Sequence, residues 1–187
     1  MSERLRFSAT KLPGLQTVDR LALHDARGWF ERSYCFDTFK QAGLQKTIQQ
    51  INRTKTLQKG SVRGMHYQLT PFAEAKVVSC LQGEVYDVAI DMRAGSLTFL
   101  QWHAEILSAE NRRSLLIPEG FAHGFQTLSD DVEMLYFHTA NYAPSSAGGV
   151  NPLDPKLAIN WPLPFTEVSE QDKNLPMLLP NFEGIRL

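Results

Sequence analysis

Cysteine is scarce in this chain. Cys35 and Cys80 are the two present, and they form neither a framework of spacings nor enough cross-links to staple a domain of this size. A disulfide-built secreted scaffold is thereby excluded, and both thiols are expected to be buried and reduced. No apolar run approaches the length that spans a bilayer, and the opening Met-Ser-Glu-Arg-Leu-Arg-Phe lacks the apolar core of a secretory leader. A cytoplasmic location with no membrane partner is expected. An excess of one charge is also missing: 19 Lys and Arg against 20 Asp and Glu leave a formal net charge of −1. That balance gives no electrostatic reason to expect nucleic acid. Internal repeats, low-complexity tracts and like-charge blocks are absent, and helical periodicity is weak.

What is present is strand after strand. The 187 residues, 43% of them hydrophobic, are expected to form a single domain over residues 1–187 with a substantial core. Strand-like runs cover Lys76 to Leu81, Glu84 to Met92, Phe99 to Leu107, Ser114 to Ile117 and Glu133 to Thr139, separated by turn chemistry such as Gln82-Gly83 and Arg93-Ala94-Gly95-Ser96. Strands at this spacing predict an all-β sandwich or barrel with a few short helices. One helix is predicted over Phe36 to Ala42, closed by Gly43, and a turn or two near Asp172. The proline-rich C-terminal third, from Pro144 to Pro180, cannot continue a central sheet and is expected to wrap the barrel as loops.

Two segments stand out chemically, Arg63-Gly64-Met65-His66-Tyr67-Gln68 and Ile117-Pro118-Glu119-Gly120-Phe121-Ala122-His123-Gly124-Phe125, each placing a histidine in a strand beside glycine. Between them, alternation along Glu84 to Met92 puts Val85, Asp87, Ala89 and Asp91 on one face. That face is small and acidic. Asp91, beside the Arg93 turn, is expected toward solvent; Asp87 is open between solvent and a cavity wall. His24, His103 and His138 read as surface or core histidines outside the chemistry.

The spacing Pro118-x-Gly120-x-x-His123 resembles the second motif of the cupin superfamily of jelly rolls. A metal-binding cupin would offer two histidines one residue apart in its first motif, whereas here Tyr67-Gln68 follows His66. No metal is therefore expected. Histidine, a carboxylate to hold its tautomer, a lysine and a tyrosine are the residue types that abstract and return a proton next to a carbonyl.

Over nearly its whole length the chain resembles the dTDP-4-dehydrorhamnose 3,5-epimerase family. The similarity is carried by Arg27-Gly28-Trp29-Phe30, Gln50-Ile51-Asn52, Arg63 to Gln68, Lys76, Gly83 to Arg93, Leu107 to Asn111, Gly120 to Phe125, Tyr136, Tyr142-Ala143-Pro144, Ile159-Asn160-Trp161-Pro162 and Ser169 to Asp172. The resemblance implies a cupin-type jelly-roll homodimer without metal or other cofactor. Its implied reaction epimerises C3 and C5 of a nucleotide-diphosphate 4-keto-6-deoxyhexose, whose own ketone acidifies the carbon. By position, His66 matches the base, Asp172 its acid partner, Tyr136 the proton donor, and Lys76 and His123 residues around the keto oxygen and ring. Arg63 matches a sugar-phosphate contact. Arg27, Phe30, Gln50 and Asn52 match binding positions, some supplied by the partner subunit.

Three positions depart from the family pattern. Arg32 and Ala147 stand where glutamate is usual, and Gln171 where lysine is usual, which implies a pocket of more positive charge and an altered nucleotide preference. Two alternatives remain beside double epimerisation: inversion of C3 alone, and sugar-nucleotide binding without turnover.

Overall fold

A computed structural model describes residues 4–187. Met1, Ser2 and Glu3, part of the opening segment read above, lie outside the described residues. In chain order the elements are β1 (Leu5–Ala9), β2 (Gln16–Arg20), β3 (Leu23–Asp25), β4 (Gly28–Phe30), α1 (Phe36–Gln41), β5 (Gln50–Thr56), β6 (Val62–Gln68) and β7 (Lys76–Gln82). They continue with β8 (Glu84–Asp91), β9 (Trp102–Ser108), β10 (Arg113–Ile117), β11 (Phe121–Thr127), β12 (Val132–His138), β13 (Ala147–Gly149) and α2 (Glu170–Lys173).

The strands form a six-stranded sheet in the order β1-β2-β10-β7-β12-β5, a five-stranded sheet in the order β13-β6-β11-β8-β9, and the separate ribbon β3-β4. Every strand pairing is antiparallel. This is the expected cupin-type sandwich. Alternation explains where the core lies. Val78, Cys80, Leu115, Ile117 and Met134 of the first sheet meet Val85, Ala89, Leu107, Phe121 and Phe125 of the second in one buried cluster.

Both outer faces are covered as well. Val77, Leu116 and Phe137 pack beneath Phe39 of α1. Val88, Ile90 and Met92 pack against Leu157, Trp161, Phe182 and Ile185 of the C-terminal third, which wraps the second sheet mostly as loops. Beyond the exposed Glu84, β8 therefore has no solvent face, and Asp91, on the inner face with Val85 and Ala89, is 0% exposed rather than turned outward. Burial raises a carboxyl's pKa, but bonds from Arg93, Ser96 and Thr98 hold Asp91 down to about 2. Residues 97–100 form turns, with Leu100 in the left-handed region at φ 61°, so β9 starts at Trp102 and not Phe99. Cys80 is buried as expected, but Cys35, at the N-cap of α1, is only half-buried; both are free thiols.

Candidate active site

The glycines beside the two histidines have a steric reason. β6 and β11 run antiparallel with His66 opposite His123, and the register shifts between His123 and Phe125. At that irregularity a Cβ on Gly64 would lie 2.5 Å from the Gly124 Cα, and one on Gly124 would lie 2.6 Å from the Arg63 carbonyl oxygen. Gly64 also takes φ +125°, which side chains on L residues rarely adopt. The two backbones can touch only without side chains, and the contact carries both histidines.

Both project toward a cavity of about 550 Å³ bounded by the two sheets and by α2. His66 Nε2 lies 2.6 Å from Asp172 Oδ1. Asp172 sits on a one-turn helix whose N-cap Ser169 accepts the Asp172 N–H at 3.1 Å, and its second oxygen accepts the Gly64 N–H at 3.2 Å. Burial pushes its pKa up; the bonds from His66, Gly64 and Ser169 outweigh that and leave it lowered, so it is a carboxylate at neutral pH. A carboxylate accepts only, so Nε2 of His66 carries the proton and Nδ1 is left as the basic nitrogen.

On the same sheet His123 Nε2 lies 2.9 Å from each oxygen of Asp87, which is 0% exposed. Asp87 therefore faces the barrel interior and not solvent, standing behind His123, which lines the cavity. Tyr136 enters from the opposite sheet, its ring 6.4 Å from that of His123 at an edge-on 68°. Burial first, and then the charge of Asp87, push its hydroxyl above the usual phenol range, beyond what Thr54 and Arg63 take back. Tyr136 accordingly keeps its proton at neutral pH.

Beside Tyr136 runs a linkage that the sequence reading missed. Lys76 Nζ lies 2.9 Å from Glu74 Oε1, and Glu74 Oε2 lies 2.8 Å from His138 Nδ1. The His138 ring stacks on Tyr136, centroids 5.9 Å apart and planes 19° from parallel. His138 is thus part of the cavity wall and not an incidental histidine. The signal was available: His138 is two residues beyond Tyr136, so a strand presents both on one face. Glu74 precedes its strand and carried no such signal.

Of the residues nominated by sequence, His66, Lys76, Tyr136, Asp172, Asn52, Arg63, His123, Ala147 and Gln171 all line the cavity. Gln50 stands behind it, donating to Asn52 Oδ1 at 3.1 Å and accepting the Tyr142 N–H at 3.1 Å. Arg27 and Phe30 do not line it. They sit exposed on the β3-β4 ribbon, where Arg27 pairs with its neighbour Asp25 at 2.6 Å. Arg32, just past the ribbon, is exposed and outside the cavity too. The ribbon's far end is tied elsewhere, through Glu31 to Arg20 at 2.9 Å and Arg112 at 3.6 Å. Within one chain Arg32 therefore adds no charge to the cavity, which Ala147 and Gln171 line with uncharged side chains. Among the described residues no group of three or more His, Cys, Asp or Glu side chains is disposed to hold a metal, and no helix is long and apolar enough to cross a membrane.

The fold is a jelly roll whose cavity gathers a histidine–carboxylate pair, a lysine and a protonated tyrosine. A family model described as dTDP-4-dehydrorhamnose 3,5-epimerase matches residues 9–179. The chain is 43% identical to the dTDP-4-dehydrorhamnose 3,5-epimerase of Salmonella typhimurium over 171 residues, 90% of this chain and 93% of that one. It is 37% identical over 175 residues to a dTDP-4-dehydrorhamnose 3-epimerase of Streptomyces niveus, covering 93% and 84%. Among solved structures, a dTDP-6-deoxy-D-glucose-3,5-epimerase of Legionella pneumophila in complex with dTDP-4-keto-L-rhamnose superposes with a TM-score of 0.91 at 37% identity, covering 98% of each chain. The chain belongs to the dTDP-4-dehydrorhamnose 3,5-epimerase family.

Proposed function

We propose that the protein epimerises C3 and C5 of a nucleotide-diphosphate-linked 4-keto-6-deoxyhexose of the dTDP-4-dehydro-6-deoxyglucose type, with no metal or other cofactor. The observation that carries this reading is the opposition of two groups across the cavity: His66 on one sheet, held by Asp172 of α2, and the protonated Tyr136 hydroxyl on the other sheet. His66 Nδ1 takes the proton from the carbon next to the ketone, and Asp172 stabilises the imidazolium that results. The electron pair moves into the ketone, giving an enolate whose oxygen Lys76 stabilises. Tyr136 then delivers a proton to the opposite face of the carbon. On the substrate the proton removed and the proton returned balance and the configuration inverts; His66 then gives its proton to solvent and Tyr136 takes one back, which restores both groups for the second carbon.

Arg27 and Phe30 lie outside the cavity of their own chain, and a homodimer in which the exposed β3-β4 ribbon reaches the partner's substrate accounts for their family-matched positions. A cytoplasmic location fits a reaction on a nucleotide sugar. Nucleotide preference is assigned in part to Ala147 and Gln171 in the cavity and to Arg32 near the ribbon. Matched 4-keto sugars on different nucleotides, compared by kcat/KM in the native protein and in an Arg32→Glu, Ala147→Glu, Gln171→Lys variant, test that assignment. Equal thymidine preference in both would contradict it.

The function itself is tested by incubating the protein with dTDP-4-keto-6-deoxyglucose and resolving the products by NMR. Inversion at both C3 and C5 is expected. Inversion at C3 alone would replace this reading with that of a 3-epimerase, and saturable binding with no inversion would make the protein a sugar-nucleotide binder.

A further inference from the structure

Among the described residues lining the cavity, Glu74 is the one carboxylate that the proton transfers above leave without a task. Its side chain is 9% exposed, and each of its oxygens is committed: Oε1 to Lys76 Nζ at 2.9 Å and Oε2 to His138 Nδ1 at 2.8 Å. Burial raises its pKa, yet His138 and Lys76 pull it down to about 2, so the group is a permanent anion that only accepts. Lys76 and His138 are backbone partners on β7 and β12, so Glu74, arriving from the loop before β7, closes over a strand pair. The far side of the His138 ring is occupied by Tyr136 at 5.9 Å.

We infer that Glu74 is a positioning residue for the reaction, holding in one geometry both the ammonium at the enolate oxygen and the phenol that returns the proton. The assignment rests on the roles given to Lys76 and Tyr136 above. Lysine has a flexible four-carbon stem and three rotatable donors, so an ammonium with no fixed anion would sample several directions. With Nζ held 2.9 Å from Glu74 Oε1, the ammonium's direction is fixed and its remaining hydrogens are aimed. His138 is bound to the same carboxylate and cannot tilt without breaking that bond, which makes it a fixed plate against which Tyr136 lies. One carboxylate therefore couples the two walls of the reaction that His66 and Asp172 do not control.

The assignment predicts effects that general destabilisation does not produce. Misplacement by about 1 Å of groups acting in the transition state can cost on the order of 100-fold in rate. Glu74→Leu, which removes both bonds, is expected to lower kcat by about 10- to 100-fold with KM little changed. Glu74→Gln, of the same size, retains one acceptor oxygen and should recover part of that loss. A loosened Tyr136 also changes how the enolate partitions. In D₂O, His66 can return a solvent-derived deuteron to the original face, so deuterium in unreacted substrate should rise relative to inverted product in both variants. His138→Leu, which leaves the Glu74–Lys76 bond in place, should shift that partition with a smaller fall in kcat.

Rates and deuterium partition are measured on the wild-type protein and the three variants, with far-ultraviolet circular dichroism as the check of folding. A folded Glu74→Gln with wild-type kcat and wild-type partition overturns the assignment, as does a Glu74→Leu loss confined to KM. Should Glu74→Leu fail to fold, Glu74→Gln decides alone. A wild-type protein that exchanges no deuterium overturns the catalytic reading and this assignment with it, whereas a wild-type protein that exchanges alongside unchanged variants overturns this assignment only.

Discussion

His66 and His123 face each other as Cα partners across β6 and β11, yet their imidazoles are committed to different carboxylates, Asp172 at 2.6 Å and Asp87 at 2.9 Å. The division follows from what each carboxylate stands on. Asp87 is a strand residue fixed in the barrel wall, so His123 is locked in a buried pair. Asp172 is on a one-turn helix reached through a long C-terminal wrap, and His66 keeps 44% of its side chain exposed toward the cavity. One histidine is held against the wall, and the other stands open to the cavity.

Asp172→Asn is expected to lower kcat far more than it raises KM. An amide can still hold the imidazole, but it does not stabilise the positive charge that appears after proton transfer, so the loss falls on the transition state. Steady-state kinetics decide the point. Unchanged kcat with a raised KM would make Asp172 a binding residue instead.

Gly124→Ala is expected to damage both histidines at once. Its Cβ would lie 2.6 Å from the Arg63 carbonyl and 2.6 Å from Met65 Sδ, so β6 and β11 must separate. Forced overpacking of this kind costs about 1 to 3 kcal/mol. Thermal melting should show a lower Tm, and activity should fall further than the residual folded fraction explains. A variant with native Tm and native rate would show that the glycine contact does not set the site.

Acid stability should depend on Glu74. Its folded pKa, and that of Asp91, is depressed to about 2, and that of Asp172 is lowered as well. A carboxyl with a depressed folded pKa contributes its full stability above its unfolded value, roughly 4, and loses it as pH falls toward the folded value. Tm should therefore hold from neutrality to about pH 5 and drop steeply between about pH 4 and 2. Glu74→Gln should start lower and fall less over that window. Parallel curves for the two proteins would contradict the assigned pairing.

Much of this architecture is legible in the sequence, because it rests on period-two alternation and glycine turns. The strand from Glu84 shows why some of it is not. Alternation separates its two faces correctly and places Asp91 with Val85 and Ala89, on the face that turns into the core. What alternation cannot show is that Arg93, Ser96 and Thr98 fold back to satisfy a carboxylate there, so a charged residue beside a turn reads as solvent-facing. The site divides along the same line. His66 and Lys76 stand out in their strands by their own chemistry, whereas Tyr136, in the strand-like run Glu133 to Thr139, and Asp172 are reached through resemblance. Glu74 lies in the loop before β7, where no period applies, and its pairing with His138 joins positions 64 residues apart. The departures at Arg32, Ala147 and Gln171 were visible as residues, while their sum at the cavity depended on Arg32 standing outside it.

The most direct test of the central claim, that His66 is the base that opens the reaction, is deuterium incorporation in D₂O. Wild-type and His66→Ala protein are incubated with dTDP-4-keto-6-deoxyglucose, and deuterium at C3 and C5 is followed by NMR. Wild-type protein should incorporate deuterium at both carbons. His66→Ala, whose half-exposed side chain is not needed by the core, should stay folded and lose about 10²- to 10⁴-fold in exchange rate. Exchange by the folded His66→Ala protein at the wild-type rate would contradict the account.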